Sequence, residues 1–425
     1  MKIVVVVGTF PKLSETFIVN DIVGLLSEGH EVDIVAFSRP AKGEQFQKEI
    51  YEYRLQAKVR YIRVPEGRLE RFRLLAAMIF ENLGPNLKVI LKMLTASEGD
   101  FYTRLNVVFK SRPFLKKRYD IIHCHFGVEA KQLQHLKEFL NVIFVTSFHG
   151  YDISKFVKDH GDDVYRELFL NGDFFLPVSD FFKKRLISLG CSESKVRIHY
   201  MGIRTEGFPF IDRPFQFSQN IRILSIGRLV AKKGFEYGIK AVAQLIQKYP
   251  QIQYTIVGEG EEEGRLKDLV SSLRLENHVC LLGQKVHDEV EALVAVSDIV
   301  LVPSVTSDKG DEEGIPTALK EAMISGMPVV STYHAGIPEL VIDGESGFLV
   351  EQRDVQGLAQ RLSHLIEDPE LCRKMGQAGR KRIIEKFELK QLSKELVDIY
   401  LSLLNEQSKS KGQGNAKSQR HYSHV

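Results

Sequence analysis

The chain has 425 residues, of which 44% are hydrophobic and 27% charged, and its net charge is +3. That balance supports ample soluble core in two or three domains and excludes fibrous, disordered and generally nucleic-acid-binding classes. Cys124, Cys191, Cys280 and Cys372 are scattered without a Cys-x-x-Cys pair, which argues against a zinc site or a disulfide framework and fits a reducing cytosol.

The first apolar run, Ile3 to Val7, turns polar at Gly8, as the first strand of a sheet does and a signal peptide does not. No stretch reaches the ~18 consecutive apolar residues of a membrane span, so a cytoplasmic protein is expected. The loop Gly8 to Thr16 follows the strand and contains Phe10, Pro11, Ser14, Glu15 and Thr16. Ser14 or Thr16 would cap the next helix, Thr16 to Glu28, and Glu15 would favour its N-terminus. Gly29 stops that helix and Val32 to Phe37 forms the next strand, a right-handed βαβ start.

Residues 58–118 break this pattern, with 14 Lys and Arg against 5 Asp and Glu. Leu69, Phe72, Leu75, Ile79 and Leu83 form a helical stripe flanked by Arg68, Arg71 and Arg73. After Gly84-Pro85, Leu87, Ile90, Leu91 and Leu94 form a second stripe beside Lys88 and Lys92. Such basic amphipathic helices either pack on the sheet or lie on an anionic membrane surface.

Parallel-sheet patterning resumes with strands at 120–125, 142–146 and 174–178, and Lys195 to Tyr200 closes this half. His123 and His125 alternate on one strand, but no carboxylate or cysteine cluster completes a metal site. His149 follows the next strand beside Gly150, where a ligand contact is more plausible than for an average histidine. The aperiodic stretch 201–220 reads as an interdomain connection. A second strand–helix alternation then runs from Ile221 to Glu367, helical pattern continues over 370–404, and the polar tail from Glu406 is expected to be disordered. Two doubly wound halves leave a cleft between the C-terminal ends of both sheets, where open α/β sheets bind ligands.

Four strand-exit loops of the second half carry chemistry. Gly227-Arg228-Leu229-Val230-Ala231-Lys232-Lys233-Gly234 places three cations between a strand and a helix, a setting suited to a diphosphate. Gly258-Glu259-Gly260 would let a nucleotide approach the backbone, or is an ordinary turn. Ser304 to Gly326 holds Glu313 at a strand mouth, the turn Gly314-Ile315-Pro316-Thr317, and Glu321 inside the following helix. Its other acids, Asp308, Asp311 and Glu312, read as solvated loop charge. Thr332 and Gly336-Ile337-Pro338-Glu339 form a further loop nearby.

In order and spacing these motifs, with Pro328-Val329-Val330-Ser331 and Gly347-Phe348-Leu349-Val350, resemble the family 4 glycosyltransferases. Phe10-Pro11 with Ser14-Glu15-Thr16-Phe17, and Phe148-His149-Gly150-Tyr151-Asp152, resemble the colanic-acid and exopolysaccharide branch. The resemblance implies a GT-B fold, two Rossmann-like domains facing each other across a cleft. They would comprise an acceptor-side domain 1–200, a connection 201–220, a donor domain 221–385 and a helix 386–405 crossing back. It implies transfer with retention from a UDP- or GDP-sugar, without a metal or other cofactor, to a lipid-linked oligosaccharide or polysaccharide at the inner face of the plasma membrane. Arg228 and Lys233 would clamp the diphosphate, Glu313 and His149 would contact the donor sugar, and Glu321 the ribose. Gly283 with Gln284, Lys285 and Val286 would hold the base, and the departing phosphate oxygen would take the acceptor proton. Two departures stand out: Gly202-Ile203 is followed by Arg204 where many members have an acid, and Phe-Pro replaces the more usual Gly-Gly of the first loop. Another GT-B enzyme (a sugar phosphorylase or nucleotide-sugar epimerase) and a non-catalytic GT-B scaffold are the alternative readings.

Overall fold

A computed structural model describes residues 1–421 apart from 42, 43, 45, 97, 98, 207, 209, 211–214, 216, 218 and 219. The last nine of these internal positions belong to the expected connection, and 422–425 belong to the tail, so those parts of both readings lie outside the described residues. The chain forms two parallel six-stranded sheets. The first contains β1 (Lys2–Thr9), β2 (Glu31–Ser38), β3 (Val59–Tyr61), β4 (Ile121–His125), β5 (Ile143–Phe148) and β6 (Phe174–Pro177) in the order β3-β2-β1-β4-β5-β6. The second contains β7 (Ile221–Ile226), β8 (Ile252–Val257), β9 (Val279–Leu281), β10 (Ile299–Val302), β11 (Val329–Thr332) and β12 (Phe348–Val350) in the order β12-β11-β10-β7-β8-β9. Both orders are the doubly wound Rossmann order, and each reverses beside its first strand, at β1/β4 and β7/β10.

The strands form where the sequence is apolar on both faces. Ile3 to Val7 are fully buried, because helices cover the sheet on either side. Helix Thr16–Ser27 lies where its spacing predicts, but neither Ser14 nor Thr16 caps it. Glu15 occupies the capping position without a side-chain bond there and pairs instead with Lys12 at 2.6 Å. Lys195 to Tyr200 is not a strand: after a turn at Glu193–Lys195, Val196 makes a single parallel bridge to Phe175.

The basic insert supplies β3 and helices Arg68–Glu81, Pro85–Ala96 and Phe101–Leu115. The stripe of the first helix is not its packed face. Met78 is buried with Leu74 and Leu75 against it, whereas Leu69, Phe72, Phe80 and Leu83 are 62–78% exposed. Arg71 turns inward, donating to Pro65 O at 2.8 Å and lying over the rings of Tyr102 and Phe109. Lys92 pairs with Glu138 at 3.1 Å.

Backbone pairing and a returning helix help to tie the domains together. The backbones of Ile203, Phe387 and Leu389 exchange hydrogen bonds where the chain first leaves and later re-enters the first domain. Helix Leu389–His421 then packs Leu396, Ile399, Tyr400 and Leu403 with Ile3, Val5 and Val7 on one face of the first sheet. The same helix continues through residues 406–421, where composition suggests disorder. Gly412 and Gly414 weaken helix here, and these residues extend a helix already anchored by its packed turns.

Candidate active site

A cavity of about 640 Å³ lies between the strand ends of the two sheets. The second domain lines it with Gly227, Arg228, Lys233, Lys285, Glu313, Gly314, Ile315, Pro316, Thr317 and Glu321, and the first with Ser14, Glu15, Thr16 and His149. The sheet ends therefore bring together most of the residues singled out from sequence.

The acidic loop is the centre of this wall. Strand β10 delivers it, and helix Thr317–Ile324 follows it. Glu313 is ion-paired with Lys233, accepts from Ser304 Oγ at 3.1 Å, and donates its backbone amide to His334 Nε2 at 3.0 Å. Burial alone would raise its carboxyl, but the ammonium groups of Lys233 and Lys232 outweigh that and bring it down to about 2. Glu313 is thus a fixed anion at neutral pH. Lys233 sits at the end of the Gly227–Gly234 loop beside helix Phe235–Leu245. Arg228 is exposed at the cavity and makes no ion pair among the described residues. A guanidinium, an ammonium and a helix N-terminus in one loop can hold a diphosphate and stabilise charge that develops on it.

Of the other loop acids, Asp311 and Glu312 are held by partners, whereas the Asp308 carboxylate stands in solvent as expected. Lys232 is 7% exposed and donates to Asp311 Oδ1 at 3.0 Å and to Glu312 O at 3.1 Å. Glu312 is 8% exposed and takes both arms of the Arg185 guanidinium from the opposite domain. Asp308 pairs with Arg353 at 3.2 Å, and its carbonyl accepts from Lys158 at 3.2 Å. The loop is therefore clamped across the cleft. Glycines on both sides allow this closeness: a Cβ on Gly150 would lie 2.9 Å from Glu312 O, and one on Gly314 would lie 2.6 Å from His149 O. Glu339 also bridges the domains, accepting from the amides of Asp180 and Phe181 and from Tyr200 Oη. Arg204, in the place of the family's acid, pairs with the buried Glu49.

Some expected contacts are elsewhere. Gly258, Glu259, Gly260, Gln284 and Val286 do not line the cavity. A Cβ on Gly258 would fall 1.9 Å from Gly227 O, and one on Gly260 would fall 2.3 Å from Leu229 O. These glycines let one strand-exit loop pack on the next, which is a structural reason for them. Glu259 Oε1 accepts from Gln284 N at 3.4 Å. Phe10 and Pro11 are buried beneath the first loop, with Phe10 O accepting from Tyr61 at 3.0 Å.

Of three residues that sequence reasoning passed over, Glu129 and Lys320 line the cavity and Asp21 lies behind it, near His125. Glu129, in helix Gly127–Leu133 after β4, lines the cavity from the first domain, and burial pushes its carboxyl up to about 8. Lys320, in the same helix as Glu321, is 1% exposed and donates to Met201 O at 2.7 Å. Asp21, on helix Thr16–Ser27, is buried with Oδ2 unpartnered, and burial raises it to about 7. Each stands amid ordinary amphipathic spacing; only its position just after a site loop could have flagged it. His123 uses both ring nitrogens within the protein, on Ser147 and Tyr400 at 2.7 Å, and among the described residues no group of three His, Cys, Asp or Glu is placed to hold a metal.

The paired Rossmann-like domains with the cleft between them define a GT-B fold. Family models concur: the Glycosyl transferases group 1 model matches residues 209–382, and the Glycosyltransferase Family 4 model matches residues 14–206. The chain belongs to the family 4 glycosyltransferases. It is 35% identical to WcaL of Salmonella typhimurium, named as a colanic acid biosynthesis glycosyltransferase, over 94% of this chain and 99% of that one. It is also 35% identical to the amylovoran biosynthesis glycosyltransferase AmsK of Erwinia amylovora, over 86% and 90%. Among solved structures, Anabaena HepE in complex with UDP and glucose has a TM-score of 0.71 at 20% identity, covering 95% of this chain and 100% of that one. The sucrose-phosphate synthase of Thermosynechococcus elongatus has a TM-score of 0.72 at 19% identity, covering 96% and 100%.

Proposed function

We propose that the protein transfers a sugar, with retention of configuration, from a nucleoside diphosphate sugar to a lipid-linked oligosaccharide or polysaccharide acceptor in exopolysaccharide synthesis. One observation carries this reading: Arg228 and the Lys233–Glu313 pair face the same cavity as His149 and the first loop of the opposite domain. The cationic loop binds the diphosphate and stabilises negative charge on it as the glycosidic bond breaks. Glu313, held as a carboxylate, accepts hydrogen bonds from donor-sugar hydroxyls. Glu321 accepts from the ribose, and Lys285 lies towards the base. In this reading the departing phosphate oxygen takes the acceptor proton itself, so the step calls on no protein base. Names of similar proteins point the same way: WcaL and AmsK are named for polysaccharide biosynthesis, and a HepE structure contains UDP-glucose.

The acceptor side faces a lipid surface in this reading. Leu69, Phe72, Phe80 and Leu83 form an exposed apolar row on helix Arg68–Glu81 and just beyond it, beside exposed Arg68, Arg73 and Lys88. Apolar side chains flanked by cations suit the headgroup region of an anionic bilayer. No helix among the described residues is long and apolar enough to cross a membrane, so attachment would be peripheral, at the cytoplasmic face.

The deciding experiment incubates the protein with UDP- and GDP-sugars and membrane-extracted lipid-linked acceptor, and determines the product anomer by NMR. Acceptor-dependent product with the donor's configuration is expected. Phosphate-dependent release of sugar phosphate, or donor conversion without acceptor, would replace this reading with phosphorylase or epimerase chemistry.

A further inference from the structure

His149 does not stand alone at the cavity wall. Its Nε2 is 3.2 Å from His125 Nδ1, and the two rings are parallel to within 10° at 5.3 Å. His125 is fully buried at the end of β4, with Nε2 lacking a hydrogen-bond partner. Asp21 Oδ2, equally unpartnered, lies 4.0 Å from that nitrogen. Asp21 occupies helix Thr16–Ser27 one turn after Phe17, whose ring lies 4.7 Å from His149. The charge nearest to opposing Asp21 comes from the other domain: the buried Lys320 ammonium acts against the burial that would neutralise Asp21. A chain His149–His125–Asp21–Lys320 thus runs from the cavity into the packed base of the cleft.

The polarity of this chain has only two settings. Burial keeps both imidazoles neutral, His149 down to about 3. In a hydrogen bond between two neutral imidazoles, one nitrogen carries the proton and the other does not. Above about pH 7, where Asp21 is ionised, the anion beside His125 Nε2 favours the proton on that nitrogen. Nδ1 of His125 is then bare and accepts from His149 Nε2–H, which leaves Nδ1 of His149 unprotonated at the cavity. His123, stacked on His125 at 4.5 Å, cannot take over either bond, because Ser147 and Tyr400 occupy both of its nitrogens.

We propose that Asp21 and His125 are positioning residues that fix His149 in its Nε2-protonated tautomer, so that His149 Nδ1 accepts a hydrogen bond from a donor-sugar hydroxyl, with Lys320 supplying the counter-charge across the cleft. The role of Nδ1 rests on the sugar-transfer reading above; the tautomer does not. Contact by His149 is thereby made directional, since a sugar without an O–H donor at that position, such as a deoxy or O-methyl analogue, loses the bond.

The test separates the two layers. Ring-nitrogen NMR on the full chain labelled with 15N-histidine, assigned by loss of the signal in His149→Phe, reads the tautomer directly at pH 8. Wild type is expected to show His149 protonated on Nε2; protonation on Nδ1 overturns the proposal without any variant or activity. Asp21→Asn, which keeps shape and removes charge, is expected to mix or invert the tautomer and lower kcat about 10- to 100-fold with donor KM changed less than threefold. Asp21→Glu should restore both. An unchanged tautomer in Asp21→Asn, or a lower melting temperature with kcat intact, would show that Asp21 is merely structural. If wild type makes no product with any donor, the transfer reading fails while the NMR result still decides the tautomer.

Discussion

The Lys233–Glu313 pair permits a quantitative test, because it joins stability to catalysis. Glu313 is brought from an ordinary 4.5 to about 2. At ~1.4 kcal/mol per unit this corresponds to about 3 kcal/mol of stability, and breaking a buried pair by removing one partner costs a similar ~3–5 kcal/mol. Lys233→Met leaves the carboxylate with Lys232 and Ser304 only. For a domain of this size ~2–4 °C is lost per kcal/mol, so scanning calorimetry without nucleotide should show the donor domain melting roughly 6–12 °C lower at pH 7. Adding Glu313→Gln removes the stranded charge, and the double variant should regain at least half of that loss. Because Glu313 has a depressed value in the folded state, its contribution is complete above about pH 4.5 and is lost as the pH falls toward 2. The gap between wild type and Lys233→Met should close over the same range. Transfer should fall more than 100-fold in both single variants and stay low in the double. Simple addition of the two single losses would refute the pairing argument; Lys233→Met retaining a tenth of wild-type turnover would remove Lys233 from the diphosphate.

Other predictions address the rest of the cleft. Glu129 is raised from 4.5 to about 8, so the folded protein holds a proton there that the unfolded chain releases, and stability should decline as pH rises from about 4.5 to 8. Glu129→Gln should therefore melt higher than wild type at pH 8 and equally at pH 4.5; identical melting at both values would mean that the carboxyl is ionised in the fold. Arg185→Ala breaks the clamp on Glu312 and should enlarge the radius of gyration in small-angle scattering and raise donor KM several-fold, whereas an unchanged scattering curve would show that other contacts suffice to hold the domains. Phe72→Ser with Phe80→Ser changes two exposed side chains, so stability should move by less than ~0.5 kcal/mol while co-sedimentation with anionic vesicles is lost. Arg71→Ala should do the reverse, because Arg71 holds Pro65 O and lies over two rings; equal vesicle binding by the Phe72/Phe80 variant would remove the membrane surface.

What the sequence made legible is set by local physics. Strand ends and helix starts are written in runs of apolar residues, glycines and periodicity, so Arg228, Lys233, Glu313 and His149 could be placed at strand exits before the fold was seen. Two strand-exit loops at the same ends of parallel sheets must meet, which is why most of them line one cavity. The basic insert was less legible, because the stripe Leu69, Phe72 and Leu83 has helical spacing on a face that the protein leaves open. Periodicity shows that a helix has an apolar side and says nothing about what covers it.

The acidic loop illustrates the other limit. Asp311 and Glu312 look like solvent charges because their partners, Lys232 and Arg185, are 79 and 127 residues away in the chain. Once those partners are known, the loop divides by position. Glu312 faces the other domain, Asp311 anchors to Lys232 of the cationic loop at the cavity edge, and Glu313 turns to the cavity against Lys233. Adjacent carboxylates thus do different jobs, and the neighbouring Lys232 and Lys233 tie two of them to the Gly227–Gly234 loop. The Arg185–Glu312 clamp and the Lys233–Glu313 pair sit on neighbouring residues of one loop, so a contact between the domains and a contact lining the cavity share the same backbone.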